Sequence, residues 1–368
     1  MTPPSAVHEA VPGTIAAALT GRARGFDSLR LGLAFAILAF HSVTITHGNA
    51  DAIPPPLMAA AHLILPMFFA MSGFLVAASL ARAGSVLEFV LLRLLRLLPG
   101  LLTVLLLTVL FLGPLLAETG PARYFASPAV AIYFGNLLGW PVYGLPGLFL
   151  HNPRAGIVNG SLWTIRIELL CYAGLTVCAL MRSSRRWVPW LLTAGIVLAW
   201  QVWRDPPAWP RWFPVELGIA FLSGTLIFKA APWLPLHPAL GLGMLILAFM
   251  LSLTTNDMTL AAVPAAYATV WLGLARAPAL PGDYAYGVYL VGYPLAQSIV
   301  LLLPQAAWWQ TLTLCAPLAL GLAMLLWHRV ERPALASRPL LIGLLPRPRS
   351  SPGFSLAEPS LTPPVAKQ

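Results

Sequence analysis

Charge is what this chain has least of. Only 9% of its 368 residues are Asp, Glu, Lys or Arg, against about 25% in an ordinary soluble protein. Hydrophobic residues make up 58% and the mean hydropathy is +0.79. A soluble fold of this size could not hide so much apolar surface, so its natural solvent is lipid. Acidic residues are scarcer than basic ones, 12 against 22, which leaves a net charge of +10. The basic residues stand at the ends of apolar runs rather than in a stripe. That is the membrane pattern and points away from nucleic acid as a partner. Cysteine is almost absent. Cys171, Cys178 and Cys315 lie singly in apolar runs with no CxxC, so neither a disulfide framework nor a metal site is implied. A secretory leader is not expected either, because residues 1–25 lack a basic start followed by an apolar core. They read as a short cytosolic lead.

What is there is a series of apolar runs. A membrane helix needs about 20 apolar residues. The runs near 29–47, 57–80, 98–117, 160–181, 187–203, 213–232, 237–254, 259–276, 284–304 and 308–328 qualify. The expected fold is an all-α membrane protein, a polytopic bundle of about ten transmembrane helices. Orientation follows from the loops. One set of ends holds Arg22, Arg24, Arg82, Arg93, Arg96, Arg182, Arg185, Arg186, Lys229, Arg276, Arg329 and Arg332. The opposite loops hold only Arg123, Arg154, Arg204 and Arg211. The positive-inside rule therefore places both termini in the cytosol. Residues 26–335 form one transmembrane domain. Residues 336–368, rich in Pro and Ser towards their end, form a cytosolic tail expected to be disordered. The long outer segment 118–159 is apolar and aromatic. Two readings fit it: a cover lying at or dipping into the interface, or a packed surface loop.

The first run carries the first chemical signal. In "FDSLRLGLAFAILAFHS", Arg30 and His41 are 11 residues apart, about three helical turns, so they share a face roughly 16 Å apart along the axis. Arg30 alone is explained as a snorkelling anchor and His41 alone as a packing histidine. Their shared face is explained by neither. Histidine suits a general base near neutral pH, and arginine suits a phosphate. Together they suggest a phosphorylated donor docking from the cytosol with its reactive end reaching His41.

At this point the chain resembles the acyltransferase-3 family of integral membrane enzymes. The resemblance runs along nearly the whole chain: "FDSLRLGLAFAILAFH", "PMFFAMSGFLVAASL", "FVLLRLLRLLPG", "HNPRAGIVNGSLWTIRIELLCY", "GDYAYGVYL" and "WHRVERPAL" occur in the family's order. One departure is at "YLVGYP", where some members carry a His and this chain has Gly292. The resemblance implies transfer of an acyl group, expected to be acetyl, from cytosolic acyl-CoA to a hydroxyl of a saccharide or glycolipid acceptor. It also implies a multi-pass protein of the bacterial inner (plasma) membrane, with no metal. The rival reading, a transporter or exporter of a small metabolite or glycan precursor, would need a continuous polar path and broken helices. The sequence offers few intramembrane charges for one.

The remaining site residues carry two readings each. Arg93 and Arg96, three apart on one helical face, are positive-inside anchors or a clamp for coenzyme A phosphates; the resemblance favours the clamp, with Arg30. Glu168, eight residues into its span, lies roughly 12 Å deep, at a depth like that of His41. An unpaired carboxylate there is costly, so it either supports His41 or pairs elsewhere. Asn159, Trp163 and Tyr286 are candidates for substrate contact, and Trp163 suits an aromatic belt equally. Ser72 and Gly73 read as a close helix approach, and no base stands visibly beside Ser72. Asp283 reads first as a helix cap. Glu331, between Arg329 and Arg332, reads as part of a surface salt-bridge cluster.

Overall fold

A computed structural model describes residues 12–19, 25–180, 214–255, 258–278 and 280–345. The expected span 187–203, the basic residues Arg22, Arg24, Arg182, Arg185, Arg186, Arg204 and Arg211, and the tail beyond residue 345 lie outside the described residues. Within them the secondary structure is helical, with no named strand. The principal helices are α1 (Gly25–His47), α2 (Pro55–Arg82), α3 (Val86–Leu107), α4 (Trp163–Leu180), α5 (Val215–Lys229), α6 (Pro238–Thr254), α7 (Met258–Leu274), α8 (Ala285–Leu302) and α9 (Trp308–Leu326). α3 runs on to Leu116 through a π-helical turn, and α9 runs on through another. Among the described residues, six helical segments are long and apolar enough to cross a membrane: α1, α2, α3 with its extension, α4, α8 and α9 with its extension. α6 and α7 are apolar but shorter. A short helix, Arg332–Ala336, leads into the expected tail, and a second, Arg338–Gly343, lies within its described part.

Local chemistry sets the helix ends. Pro55 opens α2 at a position where the missing N–H is no loss. Ser85 caps α3 by accepting from the Glu88 N–H at 3.1 Å, while the Glu88 carboxylate accepts from the Gly84 N–H at 3.0 Å; this is a variant of the capping box. Inside the bundle, small residues decide the packing. A Cβ on Gly73 would come within 1.9 Å of the Phe221 carbonyl oxygen, and one on Gly224 within 2.0 Å of that of Ala70. α2 and α5 therefore meet backbone to backbone, with the Thr225 hydroxyl donating to the Gly73 carbonyl at 3.2 Å. Without a hydrophobic force between helices in lipid, such close approach is what holds them.

The buried side chains fall into two clusters. One gathers α2, α5 and α7; the other gathers α3, α8, α9 and the outer segment. Phe68, Leu169, Tyr286 and Tyr289 pack against both, so the seam between the clusters runs along α2, α4 and α8. Away from the seam, Leu106, Leu110 and Phe111 on α3 and its extension and Leu314, Leu318 and Leu325 on α9 are exposed, as a lipid-facing surface requires.

Segment 118–159 is packed down rather than loose. Tyr124, Tyr133 and Leu148 are fully buried. The Tyr124 hydroxyl donates to the Val109 carbonyl at 3.1 Å, inside the π-helical turn that extends α3. On α8, Gln297 is fully buried and donates to the Arg154 and Ile157 carbonyls at 2.8 and 2.7 Å, while accepting from the Asn152 amide at 2.7 Å. The rim of the segment is apolar and exposed at Leu138 and Trp140, which suits residence at the membrane interface.

Candidate active site

The seam holds a cavity of about 140 Å³. Its polar lining is Arg30 from α1, Ser72 from α2, Arg93 and Arg96 from α3, Thr164, Glu168 and Tyr172 from α4, and Tyr286 and Tyr289 from α8. All three expected donor-site arginines thus line one cavity, along with Glu168 and Tyr286.

The arginines differ in what balances them. Arg96 is clamped by two carboxylates: Asp283 at 2.7 Å and Glu331 at 2.6 Å. Its guanidinium also lies 5.4 Å from the centre of the Tyr286 ring. Arg30 binds the same Asp283 oxygen at 2.7 Å. Burial works against ionisation of Asp283, but the Arg96 and Arg30 guanidinium groups outweigh it and hold the carboxyl below its usual range. Arg93 has no carboxylate partner among the described residues. It donates to the Ser79 hydroxyl at 3.1 Å, and its buried Nε has no acceptor. Of the three arginines expected to hold the donor, Arg30 and Arg96 are thus neutralised within the protein, while Arg93 faces no carboxylate among the described residues.

Two further expectations change here. Glu331 is not part of a surface cluster: it is 2% exposed and faces Arg96. The π-helical turn Trp327–Glu331 shifts the phase of the helix face and turns this carboxylate inward. Asp283 is more than a cap, since it joins α1 to α3 through two guanidinium groups. Both were missed because their partners lie 187 to 253 residues away. A charge balance was the available signal: arginines buried at one end of a bundle need counter-charges.

His41 stands on the opposite side of the seam tyrosines. Its Nε2 lies 3.4 Å from the Ser161 Oγ, and its ring meets that of Tyr293 edge to face with centroids 4.9 Å apart. The shared face of α1 is real: Arg30 reaches Asp283 just before α8, and His41 reaches Tyr293 within it. No hydrogen bond or ion pair joins His41 to Glu168. Ser161, at the foot of α4, is the residue level with His41, and Glu168 lies seven residues further on, roughly 10 Å along the helix. The Glu168 carboxylate instead accepts from the Tyr172 hydroxyl, one turn away on its own helix. The i, i+4 spacing was legible.

The sequence Asn159–Gly160–Ser161 has a local reason. Asn159 is 1% exposed; its amide donates to the Leu290 carbonyl at 2.9 Å, and its oxygen accepts from the Ser161 N–H at 3.1 Å. Gly160 lies against the Tyr293 ring, where a Cβ would approach within 2.7 Å. Ser161 is thereby pinned under His41. Asn159 is placed as an organiser of the turn. Trp163 begins α4 and is half-buried against the core. Tyr286 donates to the Leu97 carbonyl at 3.0 Å. Tyr289 donates to the Ser161 carbonyl at 2.7 Å, and its hydroxyl is 2.5 Å from that of Thr164. Tyr286, Tyr289 and Tyr293 follow one face of α8 from the arginine level to the histidine level. Gly292, where a His was absent, lets Leu38 of α1 come close: an added Cβ would lie 2.9 Å from Leu38 Cδ1.

Comparison with known proteins agrees over almost the whole chain. The family described as an acyltransferase domain (acyltransferase 3) matches residues 24–328. An O-acetyl transferase of Shigella phage Sf6 is 26% identical over 345 residues, covering 90% of this chain and 98% of that protein. Nodulation protein 10 of Rhizobium leguminosarum bv. viciae is 25% identical over 365 residues, covering 88% and 96%. No solved structure matches.

Proposed function

Because this chain belongs to the acyltransferase-3 family and is a multi-pass membrane acyltransferase, we propose that it moves an acetyl group from cytosolic acetyl-CoA to a hydroxyl of a saccharide or glycolipid on the far side of a bacterial inner membrane. In this reading the chain crosses the bilayer about ten times with both termini cytosolic. The acetyl group is supported by the name of the Sf6 relative, an O-acetyl transferase.

The observation that carries the reading is the division of the seam. An arginine-lined cavity lies on one side of Tyr289 and a half-buried imidazole on the other. Coenzyme A is a polyanion. Arg93, with no carboxylate partner among the described residues and a buried Nε without an acceptor, suits one of its phosphates. Arg30 and Arg96, already neutralised, shape the wall. The cavity's roughly 140 Å³ suits an acetyl thioester and the end of its arm, with the nucleotide left at the mouth. Glu168 and Tyr172 line the path of that arm. His41 is the base that takes a proton from the acceptor hydroxyl, and its contact with Tyr293 fixes the ring. Trp163 offers an apolar face for an acceptor sugar.

The test is mass spectrometry of surface glycans from cells carrying the wild-type gene, no gene, or His41→Ala. An increment of one acetyl group seen with wild type alone supports the reading. An increment that survives His41→Ala removes the base, and no increment in any sample removes the glycan acceptor.

A further inference from the structure

A donor arriving on one side of the seam and an acceptor on the other pose a problem of distance. Of the hydroxyls between them, that of Ser161 touches the base. Ser161 is 2% exposed, its Oγ is 3.4 Å from His41 Nε2, and its carbonyl accepts from Tyr289, which lines the donor cavity. Thr164, one turn on in α4, lines the same cavity and contacts the same Tyr289 hydroxyl. Ser161 thus touches the base with its side chain and a cavity wall with its backbone. Ser72, the serine that does line the cavity, sits among Arg93, Glu168 and Tyr172 with no histidine in the lining.

We propose that Ser161 is a catalytic nucleophile that carries the acyl group as an ester between donor and acceptor, with His41 serving both half-reactions. The proposal rests on the acyltransferase reading above. In the tautomer that leaves Nε2 bare, the Ser161 hydroxyl donates to it. Ser161 Oγ bonds to the thioester carbonyl carbon as its proton passes to His41 Nε2. The carbon–sulfur bond then breaks, and the proton passes from Nε2 to the leaving sulfur, giving the free thiol. In the second half the acceptor hydroxyl attacks the Ser161 ester and its proton goes to Nε2. The Oγ–carbon bond breaks and the proton returns to Oγ. Ser161 stands two residues before the start of α4 at Trp163. The Thr164 and Ile165 N–H groups already donate to the Ser161 and Leu162 carbonyls, which leaves the Leu162 and Trp163 N–H groups as the nearest backbone donors in sequence for the oxyanion of either step. The pinning of Ser161 by Asn159, and of the His41 ring by Tyr293, acquires a purpose: both partners are held before either substrate arrives.

The experiment uses full-length protein in nanodiscs and [¹⁴C]acetyl-CoA, first without acceptor and then with a surface-glycan preparation from the host. Wild type is expected to release about one free coenzyme A per protein before acceptor is added and to keep label on the peptide containing Ser161. Adding glycan should move that label to the glycan. Ser161→Ala, which removes only the hydroxyl, should lose labelling and reduce transfer at least a hundredfold. Ser161→Cys should label at position 161 with a bond that neutral hydroxylamine cleaves, unlike the wild-type ester. Transfer to glycan by Ser161→Ala at near wild-type rate, or wild-type transfer with label at no stage on residue 161, overturns the nucleophile and leaves the acyltransferase reading intact. Neither coenzyme A release nor transfer by wild type, with or without glycan, overturns the acetyl-CoA reading and the proposal with it.

Discussion

The Arg96 guanidinium lies 2.6 Å from the Glu331 carboxylate across 235 residues of chain. The contact ties α3 to the π-helical turn after α9, and Asp283, 2.7 Å from the same guanidinium, extends it to α8 and Arg30. A buried cation between two carboxylates is costly to dismantle, because removing it leaves Glu331 without its cation and Asp283 with Arg30 alone. Arg96→Ala is expected to cost about 3–5 kcal/mol, read as a large loss of thermal stability in detergent. Arg96→Lys should recover only part, since a point charge cannot serve two carboxylates as a planar fork does. Equal stability of Arg96→Ala and wild type would refute the linchpin role.

Arg93 should behave differently. It has no carboxylate partner among the described residues and leaves no buried anion behind when replaced. Arg93→Gln is expected to change stability by under about 1 kcal/mol while raising KM for acetyl-CoA tenfold or more, a loss of about 1.4 kcal/mol of binding. Steady-state kinetics beside a melting curve separates the two arginines. A KM unchanged in Arg93→Gln would take the donor phosphate away from this residue.

Asp283 gives the pH dependence a sign. Its carboxyl is held below the usual range by Arg96 and Arg30 against the opposing pull of burial. A depressed acid contributes stability that is present above its unfolded pKa and lost as pH falls through the folded one. The wild-type protein should therefore keep this contribution at about pH 4, where ordinary aspartates protonate, and lose it only in stronger acid. Asp283→Asn should be less stable than wild type at neutral pH, with the gap closing as the pH drops below that point. Melting curves across pH 3 to 7 test it, and a gap that widens towards low pH would contradict it.

The helix contact at Gly73 and Gly224 is the most demanding packing in the bundle. Alanine at either position places a methyl within 1.9–2.0 Å of a carbonyl oxygen, and the helices must separate. Overpacking of this kind costs about 1–3 kcal/mol. Gly174→Ala, where nothing lies within 4 Å, serves as the control and should be neutral. Comparable melting temperatures for all three variants would show that the backbones do not meet.

Much of the site was legible in the sequence. The face shared by Arg30 and His41 follows from a spacing of three turns; Arg30 meets Asp283 just before α8 and His41 meets Tyr293 within it. The grouping of Arg93 with Arg96 follows from helical spacing too. The ion pairs do not, because Asp283 and Glu331 acquire their partners only when helices distant in sequence assemble. Glu331 is also turned inward by a π-helical turn that a 3.6-residue period cannot anticipate. Glu168 shows how depth misleads: its expected level matched that of His41, yet Ser161, in the turn just before α4, is the residue beside His41, and Glu168 lies two turns further on, on the arginine side. The nearer partner, Tyr172, stood four residues away in the sequence.

The most direct test of the central claim places the two substrates on opposite faces. Proteoliposomes of wild type and His41→Ala are sealed around [¹⁴C]acetyl-CoA, with a surface-glycan preparation outside. For wild-type molecules oriented with their arginine-lined face inward, label is expected on the outer glycan as an alkali-labile ester, and His41→Ala should give none above vesicles without protein. Label appearing at equal rates with His41→Ala, or only when donor and glycan are enclosed on the same side, would contradict the account.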